Sequence, residues 1–261
     1  VRRVAPPKGE SVGETVHHGG KPAADVLPGP LATLAQRLTF PKTMRWLADE
    51  TRFARPVRWL VALIGGETVP VRAFGLEAGS TSHGHRFLAP GAFAVASPDG
   101  YVAALQKASV LADAPTRMAR LEEQIDSAAR AAGGRVVADP ELREIVGFMA
   151  EWPTAFSGRF DRRHLDLPRE VIVVALREHQ RFFAVEDASA RLLPAFVAVR
   201  DGDERGLDQV RKGNEDVLAA RLADARFYWE TDLKHPPASL VESLSGVVWL
   251  EGLGTLRDKA T

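Results

Sequence analysis

Apolar residues recur along this chain at two spacings. Alternating or short continuous runs predict strands, and recurrence every three or four positions predicts helices. Residues 55–64 and 67–74 are apolar, β-branched runs on either side of Gly65-Gly66, a pattern that predicts a hairpin. Residues 84–88 and 93–96 read as further short strands. Ser97 followed by Pro98 has the form of an N-cap and first helical position, for a helix running to about Lys107. Residues 114–132 carry helical periodicity that stops at Gly133-Gly134, and a strand at 135–137 follows. Asp139 with Pro140 behind it opens a helix to about Met149. Residues 152–160 read as a strand and 168–179 as a helix, and strands at 181–186 and 193–199 flank a polar turn. A long helix over 206–232 presents Val217, Leu218, Leu222, Ala225 and Trp229 as one apolar stripe, with Asp224 placed to pair with Arg221 three residues earlier. A last strand or turn at 247–250 and the start of a helix from Thr255 close the chain.

The order of elements follows no strict βαβ repeat, which argues for an α+β fold. The expected fold is a mixed, largely antiparallel sheet module with packed helices, followed by a long helix leading into a helical region. Residues 1–39, rich in Gly, Pro and charge, form a partly ordered lead-in. It holds a short helix at 30–38 and an edge strand at 1–4. The sheet domain is expected over 40–205, and the helical segment over 206–261, with the break at DGDERG.

Composition narrows the chemistry. Of 261 residues, 34 are Lys or Arg and 34 Asp or Glu, so no global basic field announces nucleic acid and any RNA contact rests on a local patch. The absence of cysteine removes disulfides, thiolate metal sites and a cysteine nucleophile. No apolar run approaches the ~20 residues that span a bilayer, and a cytoplasmic protein without membrane contact is expected. Val1 and Thr261 both read as cut ends, so the chain is expected to be a piece of a longer protein. His83 and His85 in SHGHRF would share one face of a strand, but a third metal ligand is not evident. Hydrogen-bonded histidines near a turn are the favoured reading, with no metal site. Glu178 and His179 in LREHQRFF read as a solvated polar corner rather than an acid–base pair. His17-His18 in the lead-in carries no further signal. There is no phosphate loop, no G-x-G-x-x-G after a strand, no H-E-x-x-H and no G-x-S-x-G.

Seven motifs occur in a fixed order: FPKTMRW (40–46), FARPVRWLVALIGGETVP (53–70), GHRF (84–87), EWPTAFSGRF (151–160), LREHQRFFAV (176–185), GNEDVLAARLADARFYWETDLK (213–234) and LGTLRDK (253–259). Together they resemble the β chain of bacterial glycyl-tRNA synthetase, the enzyme built from two α and two β chains. The resemblance covers nearly everything from Phe40 onward. It implies that the complete enzyme joins glycine to its tRNA using ATP and Mg2+, with the class II catalytic domain on the α chain and no cofactor on this one. It also implies a longer β chain, continuing into an HD-like helical domain and an anticodon-binding domain. The sheet region is similar to the sheet domain of the phenylalanyl-tRNA synthetase β chain that hosts editing, a similarity of fold and not of activity.

No catalytic residue is carried over. Lys42, Arg45, Arg86, Lys212 and Arg221 are the candidates for RNA phosphate contact, because a neutral protein binds RNA through local clusters. Three roles remain open: tRNA docking and assembly with the α chain; a structural assembly domain without RNA contact; and hydrolytic editing of mischarged tRNA near His83, His85 or His179. They are favoured in that order.

Overall fold

The computed structural model describes residues 2–4, 11–13, 19–47 and 50–260, so Val1, His17, His18 and Thr261 lie outside the described residues. The chain divides into two compact units: residues 1–84 with 90–104, and residues 85–89 with 105–261.

The first unit is a series of short antiparallel strand pairs. Arg2–Val4 pairs with Ser11–Gly13, Met44–Arg45 with Arg52–Phe53, Leu63–Ile64 with Glu67–Thr68, Arg72–Ala73 with Leu76–Glu77, and Thr81–His83 with Ala92–Ala94. The Gly65-Gly66 hairpin forms as the sequence predicts, although its strands are two residues long. Gly65 takes φ +57°, the left-handed conformation such a tight turn needs. Val69, Val71 and Ala78 form a small core, covered by Leu27, Leu31 and Ala32 from the helical segment near Pro28–Arg37.

The second unit is three-layered. Its elements are α1 (Ala114–Ala131), β1 (Arg135–Val136), α2 (Pro140–Gly147), β2 (Pro153–Arg159), α3 (Arg169–Gln180), β3 (Phe183–Glu186), β4 (Leu192–Asp201) and α4 (Leu207–Asp232). The sheet order is β1-β3-β4-β2, and every neighbouring pair is antiparallel. The only parallel pairing among the described residues is an isolated bridge between Val61 and Gly79, so the fold is α+β with antiparallel sheets.

Alternation along the strands sorts the core into two faces. Phe183, Val185, Ala195 and Val197 point to one side, where they meet Leu121, Ile125 and Ala129 of α1 and Leu142 and Val146 of α2. Ala184, Phe196 and Ala198 point to the other, against Ile172, Ala175 and Leu176 of α3 and Leu218 and Leu222 of α4. Two of the helix starts carry side-chain caps, at Asp139 as the sequence predicts and also at Asp113. The Asp139 carboxylate accepts the Leu142 N–H at 2.8 Å, and Asp113 caps α1 by accepting from Thr116 at 2.9 Å.

Four expectations are corrected. Ser97 is not an N-cap: residues 98–101 first make a turn, closed by Tyr101 N–H to the Pro98 carbonyl, and the helix spans Tyr101–Lys107. Residues 84–88 are not a strand, because the strand ends at His83 and His85 lies in the turn that follows. On α4 only Leu218 and Leu222 of the expected stripe are fully buried, while Val217 and Trp229 are exposed. Val217 is one helical step off the buried line. Trp229 is on that line but beyond the sheet, since 26 residues at ~1.5 Å rise outrun the strands beneath. Among the described residues no ion pair joins Asp224 to Arg221; the end of the helix is held instead by Arg226 to Glu230 at 3.3 Å.

Gly158 shows how tightly the α3/α4 face is packed. It lies opposite Phe196 in the β2–β4 ladder, and Phe196 stacks on Phe182 with ring centroids 4.6 Å apart. A Cβ at Gly158 would meet the Phe196 ring at 2.4 Å. Gly158→Ala is therefore expected to cost about 1–3 kcal/mol through overpacking. An unchanged urea-denaturation midpoint would show that the ring can shift freely.

Candidate functional site

The polar corners of the second unit are mostly occupied by structure. Arg177 on α3 donates to Asp139 at 2.7 Å and also engages Glu141 and Glu178, tying α3 to the cap of α2. Its hydrogen bond to Asp139, then that to Glu178, stabilises the guanidinium's charged form, and the bond from Arg177 holds the Glu178 carboxyl below its ordinary range. Glu178 is thereby committed to an ion pair and His179 is exposed, which fits the solvated-corner reading. Arg181 ends α3 in the left-handed conformation at φ +56°.

Among the described residues Glu186 is the one buried carboxylate, at 7% exposure. Arg169 from α3 donates to it at 2.6 Å and Arg135 from β1 at 3.1 Å. The Arg169 hydrogen bond is the main reason its carboxyl is held below the ordinary value near 4.5; burial opposes this, and Arg135 adds to it.

The two histidines of SHGHRF fall in different units. His83 closes the strand Thr81–His83 and packs on Trp59, ring centroids 4.4 Å apart, in the first unit. His85, 2% exposed, belongs to the second unit. Its Nδ1 accepts the N–H groups of Phe87 and Leu88, each at 3.2 Å, and its own N–H donates to the Ala108 carbonyl at 2.9 Å. Its Nε2 lies 3.2 Å from Asp201 Oδ1 at the end of β4. That oxygen also accepts the N–H groups of Glu151 and Trp152, each at 2.9 Å, so it fixes the entry to β2. One donor atom from each of His85, Glu151 and Asp201 lies within 4.8 Å of the others. His85 is a candidate in the sequence, but nothing there marks Glu151 or Asp201, which are 50 residues apart and brought together by the antiparallel ladder, with His85 a further 66 residues before Glu151.

The five cationic candidates fall in both units. Arg86 is exposed in the turn that carries His85. Lys212 and Arg221 are both on α4, yet nine residues at ~100° each place them on opposite faces. Lys212 forms an ion pair with Asp216 at 3.2 Å. Lys42 and Arg45 are exposed in the first unit, on and just before the strand Met44–Arg45, and Arg45 contacts Glu50 at 3.0 Å. The register of that strand adds a residue the sequence did not single out. Arg45 pairs directly with Arg52 across the ladder. Like charges placed opposite each other on a strand pair repel. Exposed Arg55 and Arg58 follow within six residues of Arg52, so this hairpin carries a local concentration of positive charge on a neutral chain.

The whole chain, residues 1–261, matches the family model described as glycyl-tRNA synthetase beta subunit. The chain belongs to that family. It is 46% identical over 240 residues to the glycine–tRNA ligase beta subunit of Moorella thermoacetica, covering 92% of this chain and 35% of that relative. The beta subunit of Anaeromyxobacter dehalogenans is 44% identical over 259 residues, covering 99% and 37%. That of Chromohalobacter salexigens is 42% identical over 253 residues, covering 97% and 37%. The chain thus spans about a third of the length of these glycyl-tRNA synthetase beta subunits. Among the described residues no helix is long and apolar enough to cross a membrane.

The Glu186 ion pairs make acid stability a direct check on the geometry. A carboxyl whose folded pKa is depressed contributes stability that is present above its unfolded value and lost as pH falls through the folded one. Wild type is therefore expected to lose stability progressively below about pH 4.5, and Glu186→Gln to show a shallower loss over that window. Equal slopes in urea titrations from pH 6 to 3 would contradict the assignment.

Proposed function

We propose that this chain is the part of a glycine–tRNA ligase β subunit that docks tRNA and contributes to assembly with an α chain, while glycine activation with ATP and Mg2+ takes place on that α chain. Membership of the family carries the reading as far as the ligase, and the basic hairpin formed by Lys42, Arg45 and Arg52 carries it toward RNA. A neutral protein gains affinity for a polyanion where cations cluster, because each phosphate neutralised releases condensed counterions. Arg45 and Arg52 stand in cross-strand register with Arg45 partly neutralised by Glu50, and a phosphate beside them meets the positive charge that remains. Arg86 and Arg221 add exposed positive charge in the second unit. The polar groups that most resemble catalytic machinery, Arg177, Glu178 and Glu186, are engaged in structural ion pairs.

Lys42→Ala with Arg52→Ala, in the full β subunit assembled with α, is expected to weaken binding of glycine tRNA. It should also reduce the steepness of the log Kd against log salt plot by roughly 1 to 2. Binding with unchanged affinity and salt slope would remove the hairpin from the tRNA interface and favour a purely structural role.

A further inference from the structure

The His85–Glu151–Asp201 cluster is not used by the docking hairpin, and its chemistry is specific. His85 Nε2 is buried and has no hydrogen-bond partner, because it sits 3.2 Å from Asp201 Oδ1 but off the line its N–H requires. The glutamate side chain makes no hydrogen bond, and neither carboxylate lies within 4.0 Å of a Lys or Arg nitrogen, among the described residues. A buried donor without an acceptor thus faces the unpartnered Glu151 carboxylate and an Asp201 carboxylate held only by two backbone N–H groups.

A divalent cation is the first group such a trio suggests, but the tautomer of the histidine argues against it. Nδ1 accepts two backbone N–H groups, so the neutral ring carries its proton on Nε2, the atom that would have to ligate. Moving the proton to Nδ1 would set it against both N–H groups. The ligand that fits must accept from Nε2–H and donate to a carboxylate. A hydroxyl does both, and a ribose offers it as the 2′-OH, which is at once donor and acceptor. Trp152, next to Glu151 and bonded through its N–H to Asp201, carries the Arg120 guanidinium 4.3 Å over its ring. Arg120 Nε is itself buried without a partner.

We propose that His85, Glu151 and Asp201 form a ribose-hydroxyl site that reads the 2′-OH of bound RNA. This rests on the docking reading of the protein. Asp201, held by the Glu151 and Trp152 N–H groups, is the fixed wall; His85 Nε2–H supplies the donor; and Glu151, exposed and unpartnered among the described residues, closes on the hydroxyl proton. Deoxyribose lacks the group that satisfies the buried Nε2–H, so discrimination against DNA is a direct consequence.

The test is 2′-hydroxyl acylation footprinting of glycine tRNA on the full α and β enzyme, with Glu151→Gln as the variant. That residue is exposed and its side chain holds nothing in the fold, so the protein is expected to remain folded. Wild type should protect a short run of riboses. In Glu151→Gln those positions should regain reactivity, with Kd weaker by roughly tenfold, and a 2′-deoxy nucleotide at the same position should weaken wild type by a similar factor and the variant little. Protection that survives Glu151→Gln, while the Lys42 and Arg52 changes still weaken binding, overturns the ribose site and leaves docking standing. Absence of protection together with no effect of the hairpin changes overturns both. Terbium luminescence sensitised through Trp152 at micromolar metal, and lost in Glu151→Gln, overturns the hydroxyl assignment in favour of a cation.

Discussion

The second unit depends on one strand being buried on both sides. β4 sits inside the sheet between β3 and β2, and its consecutive residues Ala195, Phe196, Val197 and Ala198 are all buried, alternately against α1 with α2 and against α3 with α4. An unbroken apolar run is the signature of a strand covered on both faces, and here it occurs in an antiparallel sheet. Removing either helical layer would leave half of that run in water. The strand also has a polar end, and Asp201 there orders the start of β2 through two backbone N–H groups. The packing of the core and the placement of the His85 cluster are therefore two ends of the same strand.

That strand was legible in the sequence because continuous apolar character needs no partner to be recognised. So were α1 and α2, each opened by a capping aspartate, with Gly133 just past the end of α1, and α3 through its apolar period. What failed were inferences about neighbours in space. The helix start at Ser97 was misread because a turn can precede a helix with the same residues. Trp229 was assigned to a core face because helical period says which side a residue is on, not whether anything lies opposite. His83 and His85 were placed on one strand face because the strand's end at His83 leaves no mark in the sequence. In the site, Glu151 and Asp201 were silent because they meet through ladder register while His85 reaches them from a turn, and Arg52 because its pairing with Arg45 is again a matter of register.

The distribution of charge explains why the chain reads as neutral yet supports an RNA-binding account. In the second unit, many arginines are consumed locally: Arg177 by Asp139, Glu141 and Glu178, and Arg169 and Arg135 by Glu186. Such pairs between α3, β1 and the cap of α2 fix geometry and leave little field outside. In the first unit the short strand Met44–Arg45 and its partner concentrate cations instead. Equal totals of acid and base thus conceal an uneven arrangement: Arg45–Glu50 and Arg72–Glu77 pair in the first unit too, yet exposed Lys42, Arg52, Arg55 and Arg58 fall close together in its sequence.

The central claim is that this part of a glycyl-tRNA synthetase beta subunit positions and assembles, and that the activation chemistry lies on another chain. Glycine-dependent ATP–pyrophosphate exchange by the β polypeptide, measured with and without an α chain, tests it most directly. The account predicts exchange at the buffer rate for β by itself and robust exchange once α is added. Exchange well above buffer from β without α would contradict it.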